Sequence, residues 1–529
     1  MRKKRVMEET EEWIKKNCDD KGNQAKTNVS PAMRLGIKRV KERVEKGEVV
    51  VVPTDKSGKF AIMPLDVYEE MGRVHTEGDT IINESELSEL QRELNNHVKM
   101  FTKVFNVGVT HGEKNVERIR SGFTSGANGV AILWLMPKDH KEKKDGVPMA
   151  SRPVVSITNT ILARFSRIVT TVVRVLADNI RGSAEVKSCE NLKANIIKLN
   201  TVLQETALKA ATTSEGVVEE DEVRDKVKYI NEMMPKIMLS EDVKALYPSI
   251  KRDRAGIVTR KAMEDTTVSF MNVDYKMALR YISKSSKPEQ IREWNLSKYC
   301  PVRTKRKGVR PGMTGDDIED DKWTEGVIPY DTKERKRILG RVMAIAVDKV
   351  FTSNAYTFAG AIRIQSDGAP IGLDLSGEIG RLEMGDWDAR MTELCESNMV
   401  QVDLSDRYVD DVDTMLGAIP HGYRWCEGML QYDQEWVVED SLLPLEQHTV
   451  KVLVAMSNSI RNSIQREGDC CSNHQDSYIP VLDLKMKSVL IHQLANLEES
   501  TPEVMFYQVC FKFYKKPMAR PTIMNAHTA

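Results

Sequence analysis

The chain has 529 residues, 41% of them hydrophobic, so it can bury sizeable cores and form roughly two to four subdomains. Its 78 lysines and arginines balance 78 aspartates and glutamates, so the net charge neither supports nor excludes a polyanionic partner. The eight cysteines form no zinc-finger pattern, and no apolar run approaches the roughly 20 residues of a membrane span. We expect a soluble, intracellular protein with reduced thiols and no membrane partner.

The N-terminal part predicts peripheral helices followed by a hairpin. Residues 1–48 are charge-dense and have helical spacing. The apolar runs 49–53 and 60–63 predict two strands, joined by a turn at residues 55–59. This turn carries two lysines beside a glycine and could lie against phosphate, but ordinary hairpin chemistry explains it more simply.

A second, longer hairpin brings two basic residues onto neighbouring arms. Residues 130–136 and 151–156 predict its strands, with Lys138 on one arm and Arg152 on the other. Arginine offers a planar fork of donors and lysine a compact charge, so the pair suits a triphosphate. A solvent-facing ladder of charges is the alternative. Farther along, residues 162–176 predict an amphipathic helix, and 203–226 a polar insertion.

A short apolar strand then delivers Asp242 at its end, with Tyr247 five residues later. A carboxylate on a core strand is costly to bury without a counter-charge, and a metal ion would supply one. Residues 290–330 predict an exposed insertion, and residues 335–351 a helix. A strand from residue 358, a turn at 365–372 and a helix running to residue 391 follow. The two glycines of the turn could let backbone approach a ligand or a template base.

The run Tyr408-Val409-Asp410-Asp411 predicts a β-hairpin with both aspartates at its tip. Strand alternation places Asp410 on the face of Tyr408 and Asp411 on the face of Val409, unless the turn re-aims one of them. An ordinary solvated turn would also fit these four residues. If Asp242 is the partner of Asp410, their carboxylates should lie on the order of 4 to 6 Å apart, in reach of a shared metal pair.

Aromatic and basic residues interleave near the end of the chain. Residues 479–486 predict another strand, and Lys512, Lys515 and Lys516 alternate with aromatic side chains as in surfaces that track a nucleic-acid backbone. A buried strand with a charged outer face is an equally good interpretation.

Taken together and in this order, the segments resemble the reverse transcriptases of Penelope-like retroelements over residues 49–529. The family's Asp-Lys-Gly-Gly element is similar to residues 55–58, and its Pro-Lys-x-His-Lys and Arg-Pro-Ile-Val-Ser elements are similar to 137–141 and 152–156. Its catalytic aspartate strand resembles 242–250, its Gln-x-x-Gly-x-Pro-x-Gly turn 365–372, and its Tyr/Phe-Val-Asp-Asp motif 408–411. Its Leu-Pro-Phe-Leu-Asp strand looks like 479–483, and its Tyr-Arg-Lys-Pro junction with a later histidine looks like 514–517 with His527.

The chain also departs from the family pattern. Ile371 stands where the family usually has methionine, Leu373-Asp374 replaces Ser-Pro, Ser57 replaces a glycine, and Ala150-Ser151 lengthens the approach to Arg152. None of these changes removes a metal ligand. The family commonly carries a GIY-YIG nuclease beyond the thumb, and we expect this chain to stop near the start of the thumb without DNA-nicking activity.

The resemblance implies an α+β fold of the right-hand polymerase type, whose palm is an antiparallel sheet backed by helices. It implies an N-terminal helical extension at 1–48, fingers at 49–235, a palm at 236–490 and the start of a thumb at 491–529. The implied activity is RNA-directed DNA polymerisation by two-metal nucleotidyl transfer, with RNA template, DNA primer and dNTPs as partners. Two Mg²⁺ ions are the implied cofactors, with Mn²⁺ as an alternative. We expect a nuclear location.

The resemblance also assigns roles to individual residues. The catalytic residues are Asp242, Asp410 and Asp411, and the metal ligands are Asp242, Asp410 and the backbone carbonyl of Val243. The nucleotide-binding residues are Lys138, Arg152, Tyr247, Gln365 and Gly368, with Tyr247 packed under the ribose as a gate against a 2′-hydroxyl. The residues that contact nucleic acid are Pro370, Gly372, Lys512, Lys515 and Lys516.

Two other functions are considered. The chain could be a decayed or domesticated copy that binds nucleic acid without polymerising, but both Asp242 and Asp410 stand on intact strand patterns. Residues 242–250 also look like the first carboxylate motif of family B DNA polymerases. Those enzymes pair it with a Tyr-Gly-Asp-Thr-Asp motif, which this sequence lacks.

Overall fold

The structure is a computed structural model that describes residues 30–55, 59–105, 129–138, 149–180, 184–212, 235–270, 273–300, 328–494 and 503–514. The helices within these ranges are α1 (Pro31–Glu45), α2 (Leu65–Thr76), α3 (Glu84–Val104), α4 (Ile161–Ala177), α5 (Cys189–Thr212), α6 (Leu246–Ser249), α7 (Arg252–Asp265), α8 (Tyr275–Ser285), α9 (Pro288–Glu293), α10 (Thr332–Thr352), α11 (Asp374–Ser397), α12 (Gln434–Asp440) and α13 (Leu445–Ile460).

The strands are β1 (Val49–Pro53), β2 (Phe60–Pro64), β3 (Thr80–Ile82), β4 (Ala131–Pro137), β5 (Ser151–Ser156), β6 (Lys236–Val243), β7 (Ala355–Phe358), β8 (Ala361–Ile364), β9 (Val402–Tyr408), β10 (Asp411–Gly417), β11 (Tyr423–Cys426), β12 (Met429–Tyr432), β13 (Arg466–Cys470), β14 (Ile479–Val481), β15 (Leu484–Leu494) and β16 (Glu503–Phe513). The chain divides into two compact units. The first is Met1–Glu77 with Leu135–Pro153, and the second is Gly78–Trp134 with Val154–Ala529.

The first unit contains the N-terminal hairpin, in which β1 pairs antiparallel with β2. The helix α1 begins at a Ser30 N-cap followed by proline, as the sequence pattern favours, and buries none of its side chains. The helix α2 is anchored through the Tyr68 hydroxyl, which accepts a hydrogen bond of 3.0 Å from the backbone N–H of Leu135.

The second unit is built around a four-stranded sheet in the order β13-β6-β10-β9, with every pair antiparallel. Side chains of α11 and α13 cover one face, where Leu453 and Met456 pack with Leu239 and Leu416. The other face packs on α5 and on the three-stranded sheet β14-β15-β16. The α+β class, with an antiparallel sheet backed by helices, is therefore confirmed. The residue boundaries expected for fingers, palm and thumb remain predictions.

The second unit also contains β3, β8 and β7, paired in that order, and the start of β4 at residues 131–132, which pairs parallel with β7. The largest core cluster combines α3, α4, α7, α8, α10 and α11. Its aromatic centre includes Phe101, Phe165, Tyr281 and Phe351, each with an exposed fraction of 0%. No described helix combines the length and the apolar character that a bilayer crossing needs.

The structure corrects three elements of the sequence analysis. The strand predicted from residue 358 is the hairpin β7–β8, because Ala359 and Gly360 both take positive φ angles, 48° and 76°, and reverse the chain. Helix α5 extends to Thr212, into the predicted polar insertion. Helix α13 was not predicted from the sequence, because tertiary packing against the sheet selects the helix there. Residues 301–327, the centre of the predicted insertion, lie outside the described residues.

Candidate active site

Three carboxylates from two places in the chain converge at one end of the four-stranded sheet. One oxygen each from Asp242, Asp410 and Asp411 lies within 4.8 Å of the others. Asp242 is the penultimate residue of β6, and Asp411 begins β10. Because β6 and β10 pair antiparallel, the end of one strand lies beside the start of the other. The separation therefore lies below the 6 Å upper limit expected from the sequence.

The hairpin that carries two of these aspartates turns one residue earlier than the sequence predicts. Tyr408 pairs with Asp411, so Val409 and Asp410 form a two-residue loop. Val409 has a φ of 62°, the sign that a type II′ turn requires at its first loop residue. Asp411 is thus a strand residue on the face of Tyr408, which corrects the prediction that Asp410 lies on that face and that both aspartates form the tip.

The chain leaves β6 through a second strained turn. Ala245 has a φ of 53°, and the backbone N–H of Lys244 donates to the carbonyl of Gln465 over 2.8 Å. The left-handed residue ends the strand and starts the short helix α6, so Asp242 stays at the exposed end of the sheet. Val243, the predicted carbonyl ligand, is the last residue of β6, and its side chain is buried.

A buried arginine and a buried aspartate lie beneath the Asp410 turn. The Nε of Arg407 donates to both carboxylate oxygens of Asp388 over 3.0 Å, and its Nη1 donates to the carbonyl of Val409 over 2.8 Å. The exposed fraction of the Arg407 side chain is 0% and that of Asp388 is 4%. Burial raises the pKa of Asp388, and the Arg407 guanidinium offsets part of that rise. Neither residue was predicted from the sequence, although a charge inside the strand before Tyr408 was a usable signal.

A second buried arginine, Arg466, lies on β13, the edge strand that pairs with β6. Its guanidinium stacks 3.8 Å from the ring centroid of Trp387 and lies 3.9 Å from a carboxylate oxygen of Glu241. Among the described residues, its three guanidinium nitrogens have no hydrogen-bond partner. Burial lowers the pKa of Arg466, while the negative charges of Glu241, Asp388 and Asp410 oppose that shift. The buried Arg466 guanidinium is thus close enough to interact electrostatically with these three carboxylates.

Two further carboxyl groups, those of Asp413 and Asp406, are buried in the same sheet. Asp413 pairs in register with Asp406 on β9 and with Ser240 on β6. Burial, together with the nearby charges of Asp411 and Asp406, raises the pKa of Asp413 to about 8. The side-chain amide of Asn195 donates to both oxygens of Asp406, at 2.9 and 3.0 Å. These two carboxyl groups were not predicted as part of the site, because Asn195 and Ser240 are distant from them along the chain.

The three aspartates fit a divalent metal site. Carboxylate oxygens are the ligands that Mg²⁺ and Mn²⁺ prefer, and two strands hold them at one sheet end. Like charges this close repel one another, and a bound cation removes that repulsion. Among the described residues this is the one group of three or more potential ligands within such reach. Asp242, Asp410 and Asp411 are the residues that would hold the ions.

The turn at residues 365–372 packs directly against the segment that follows Asp242. The backbone N–H of Ala369 donates to the carbonyl of Tyr247 over 2.8 Å. Gly368 has a φ of 79°, and a Cβ there would lie 3.0 Å from Pro248. Gly372 has a φ of 113°, and a Cβ there would lie 2.3 Å from the carbonyl oxygen of Val155. Close packing within the chain therefore requires both glycines.

The other predicted residues of this region also have partners inside the chain. The side-chain amide of Gln365 donates to the carbonyl of Asp367 over 2.8 Å and accepts from Asn354 over 2.9 Å. Pro370 is buried. Tyr247 is half-buried, and its ring edge would lie 3.7 Å from a Cβ placed on Gly380 of α11. Their nucleotide and nucleic-acid roles remain predictions.

In the first unit, Lys138 and Arg152 lie on adjacent chain segments. The backbone N–H of Lys138 donates to the carbonyl of Ala150 over 2.8 Å, which joins the two arms of the hairpin. The Nε of Arg152 lies 3.4 Å from the buried carboxylate of Asp55. Asp55 in turn is held by a 2.8 Å hydrogen bond from its backbone N–H to the carbonyl of Pro137. Arg152 is thus oriented by a carboxylate of the same unit.

Lys512 lies on β16 in an aromatic and charged surface. Its Nζ is 4.0 Å from the ring centroid of Tyr478 and 3.1 Å from a carboxylate oxygen of Asp476. Lys515 and Lys516, like His140 and the Lys56–Gly58 turn, lie outside the described residues.

The structure therefore defines an α+β protein with a three-carboxylate site at one end of an antiparallel sheet.

No protein-family model matches the sequence, and no curated protein matches it. Solved telomerase structures are similar. Apo telomerase from Candida tropicalis truncated from its C-terminal domain shares 9% identity at a TM-score of 0.38, covering 86% of this chain and 65% of that chain. Telomerase from Candida albicans in complex with the TWJ fragment of telomeric RNA shares 10% identity at a TM-score of 0.36. The match covers 86% of this chain and 55% of that chain. Apo telomerase from Candida tropicalis shares 9% identity at a TM-score of 0.40. The match covers 87% of this chain and 61% of that chain. The chain spans less than two thirds of each of these telomerase chains.

Proposed function

We propose that the chain is an RNA-directed DNA polymerase, the reverse transcriptase of a retroelement of the Penelope-like kind, acting in the nucleus. The observation that carries the proposal is the meeting of Asp242, Asp410 and Asp411 within 4.8 Å at the end of the antiparallel sheet. The sequence motifs on both strands select the same three residues. An ordinary solvated turn would give Asp410 no reason to meet an aspartate that lies 168 positions earlier in the chain.

The three aspartates, with the backbone carbonyl of Val243, would hold two Mg²⁺ ions. Bound there, the pair would lower the pKa of a primer 3′-hydroxyl and neutralise the charge on the leaving pyrophosphate. The part played by the protein is geometric, because the rigid strands β6 and β10 and the turn between β9 and β10 fix where the carboxylates lie.

Residues outside the triad would bind the substrates. Lys138 and Arg152 would contact the triphosphate, and the 3.4 Å approach of Asp55 orients the Arg152 fork. Tyr247 would pack under the ribose of a dNTP, with Gln365 and Gly368 shaping the adjacent pocket. Pro370 and Gly372 with Lys512, Lys515 and Lys516 would contact the RNA template and the DNA primer.

Primer extension tests this proposal. The purified chain is given a DNA primer annealed to an RNA template, Mg²⁺ and dNTPs, with a DNA template in a parallel reaction. We expect extension on RNA that requires the divalent metal. Tight template binding with no extension at any Mg²⁺ or Mn²⁺ concentration would refute the proposal and favour a nucleic-acid-binding copy. Extension on DNA but not on RNA would favour a DNA-templated polymerase instead.

A further inference from the structure

We propose that Arg407 is a positioning residue that sets the Asp410 carboxylate by holding the backbone of the turn beneath it. The inference deepens the proposed function, because it concerns the same metal site. Arg407 donates from Nη1 to the carbonyl of Val409 over 2.8 Å, and from Nε to both oxygens of Asp388. Through the bond to Val409, Arg407 acts on Asp410 by way of the turn backbone.

The carbonyl of Val409 is an effective point of control. The atoms of a peptide bond lie in one plane, so the Val409 carbonyl and the Asp410 nitrogen move together. Val409 is β-branched and has a φ of 62°, a strained conformation that persists only where the surrounding structure imposes it. A turn left to itself would relax this strain by rotating that peptide plane. Rotation would swing Asp410 away from Asp242.

Arg407 and its partner Asp388 are themselves held by other parts of the chain. Asp388, which belongs to helix α11, accepts a further hydrogen bond of 3.1 Å from the backbone N–H of Ala184. The backbone of Arg407 is held as well, because its N–H donates to the carbonyl of Ala184 and its carbonyl accepts from Val186, both over 2.8 Å. The helix, the strand and the 184–186 segment therefore form one rigid support.

The geometry requires arginine rather than positive charge alone. The planar fork of arginine reaches Asp388 through Nε and Val409 through Nη1 at the same time. A lysine has one compact ammonium on a flexible stem and would stay with the buried carboxylate. Arg407→Lys therefore keeps the ion pair and removes the bond to the turn.

Mn²⁺ titration followed by the electron paramagnetic resonance signal of unbound Mn²⁺ tests the inference without relying on polymerisation. The triad site is defined as the binding that Asp410→Asn removes. We expect Arg407→Lys to weaken Mn²⁺ binding at this site by about 10- to 100-fold, the usual effect of losing a support behind a metal ligand. In primer extension, kcat at fixed Mg²⁺ should fall by a similar factor and recover in part at high Mg²⁺. The template–primer Kd should stay unchanged.

Arg424→Lys is the matched control. Arg424 is also a strand residue, and two of its nitrogens donate to the buried carboxylate of Asp440 on helix α12. These bonds do not involve the turn that carries Asp410. It should leave Mn²⁺ affinity unaltered. If Arg407→Lys does not fold, Arg407→Met with Asp388→Leu replaces the buried pair by apolar side chains and still removes the donor to Val409. This double variant should show the same loss of affinity.

Wild-type Mn²⁺ affinity in folded Arg407→Lys, or an equal loss in Arg424→Lys, would overturn the inference. A wild-type protein that binds Mn²⁺ at the triad but extends no primer would refute the proposed function alone. The positioning role would stand if Arg407→Lys still weakened the binding.

Discussion

Gly372→Ala adds a single methyl group at the described glycine where a new Cβ would have the shortest contact. The new Cβ would lie 2.3 Å from the carbonyl oxygen of Val155, 3.1 Å from its carbonyl carbon and 3.3 Å from its nitrogen. These atoms are backbone of strand β5, so no side chain can rotate away. The neighbouring Ile371 carbonyl accepts a 2.7 Å hydrogen bond from the Val155 N–H, which ties the turn to the strand.

Two costs combine in this variant. The φ of 113° lies in a region that residues with a Cβ rarely adopt, at a cost of about 1 to 3 kcal/mol. The steric overlap with Val155 adds roughly 1 to 3 kcal/mol, because relief requires breaking the adjacent hydrogen bond. We expect the free energy of unfolding to fall by about 3 to 5 kcal/mol, a large share of the roughly 5 to 15 kcal/mol that stabilises a typical domain.

Urea denaturation followed by tryptophan fluorescence measures this loss, with two glycine variants as controls. Gly360→Ala has a φ of 76° but no atom within 4 Å of the new Cβ, so only the backbone cost of about 1 to 2 kcal/mol applies. Gly377→Ala lies in helix α11 with open space around it and should gain up to about 1 kcal/mol. If Gly372→Ala unfolds at the same urea concentration as Gly360→Ala, the close approach to Val155 is not real.

The remaining predictions concern pH and sugar choice. Burial, together with the Lys349 charge, lowers the pKa of His97 to about 4, so the neutral ring is favoured in the folded state. The associated stability is present above pH 6.5 and is lost as the pH falls through 4, by about 3 kcal/mol. The free energy of unfolding of His97→Gln should therefore fall less steeply between pH 6.5 and pH 4 than that of the wild type. Parallel curves of unfolding free energy against pH for the two proteins would contradict this. Tyr247→Ala should raise rNTP incorporation relative to dNTP on one primed RNA template, because it opens space beside the 2′ position. An unchanged ratio in an active variant would place sugar selection elsewhere.

Sequence reasoning located the acidic site because its signals are local. Asp242 ends an apolar strand, and two aspartates interrupt an apolar run at residues 410 and 411. Strand propensity and turn chemistry act over a few residues, so these elements could be predicted. The pairing register of the hairpin was missed by one residue, because a loop of Val409 and Asp410 requires a β-branched residue at positive φ.

The support beneath the site could not be predicted in the same way. Asp388 lies 19 residues from Arg407, and Ala184 lies 204 residues from Asp388. Nothing in a local pattern tells which buried carboxylate will pair with which buried arginine. The glycine turn shows the same limit, since Gly372 is required by Val155, on a strand more than 200 residues earlier. The hydrophobic periodicity of the sequence does not indicate that Gly372 packs against Val155.

The most direct test of the proposed polymerase compares Asp410→Asn with Glu467→Gln. Glu467 pairs in register with Asp242 and is exposed, so its variant removes one negative charge next to the triad without removing a triad ligand. The single-turnover rate of dNTP addition and the template–primer Kd are measured for both. We expect Asp410→Asn to lower the rate by several orders of magnitude at an unchanged Kd, while Glu467→Gln stays close to wild type. Equal loss of rate and binding in folded Asp410→Asn, or a wild-type rate, would contradict the assignment of Asp410 as a metal-binding catalytic residue.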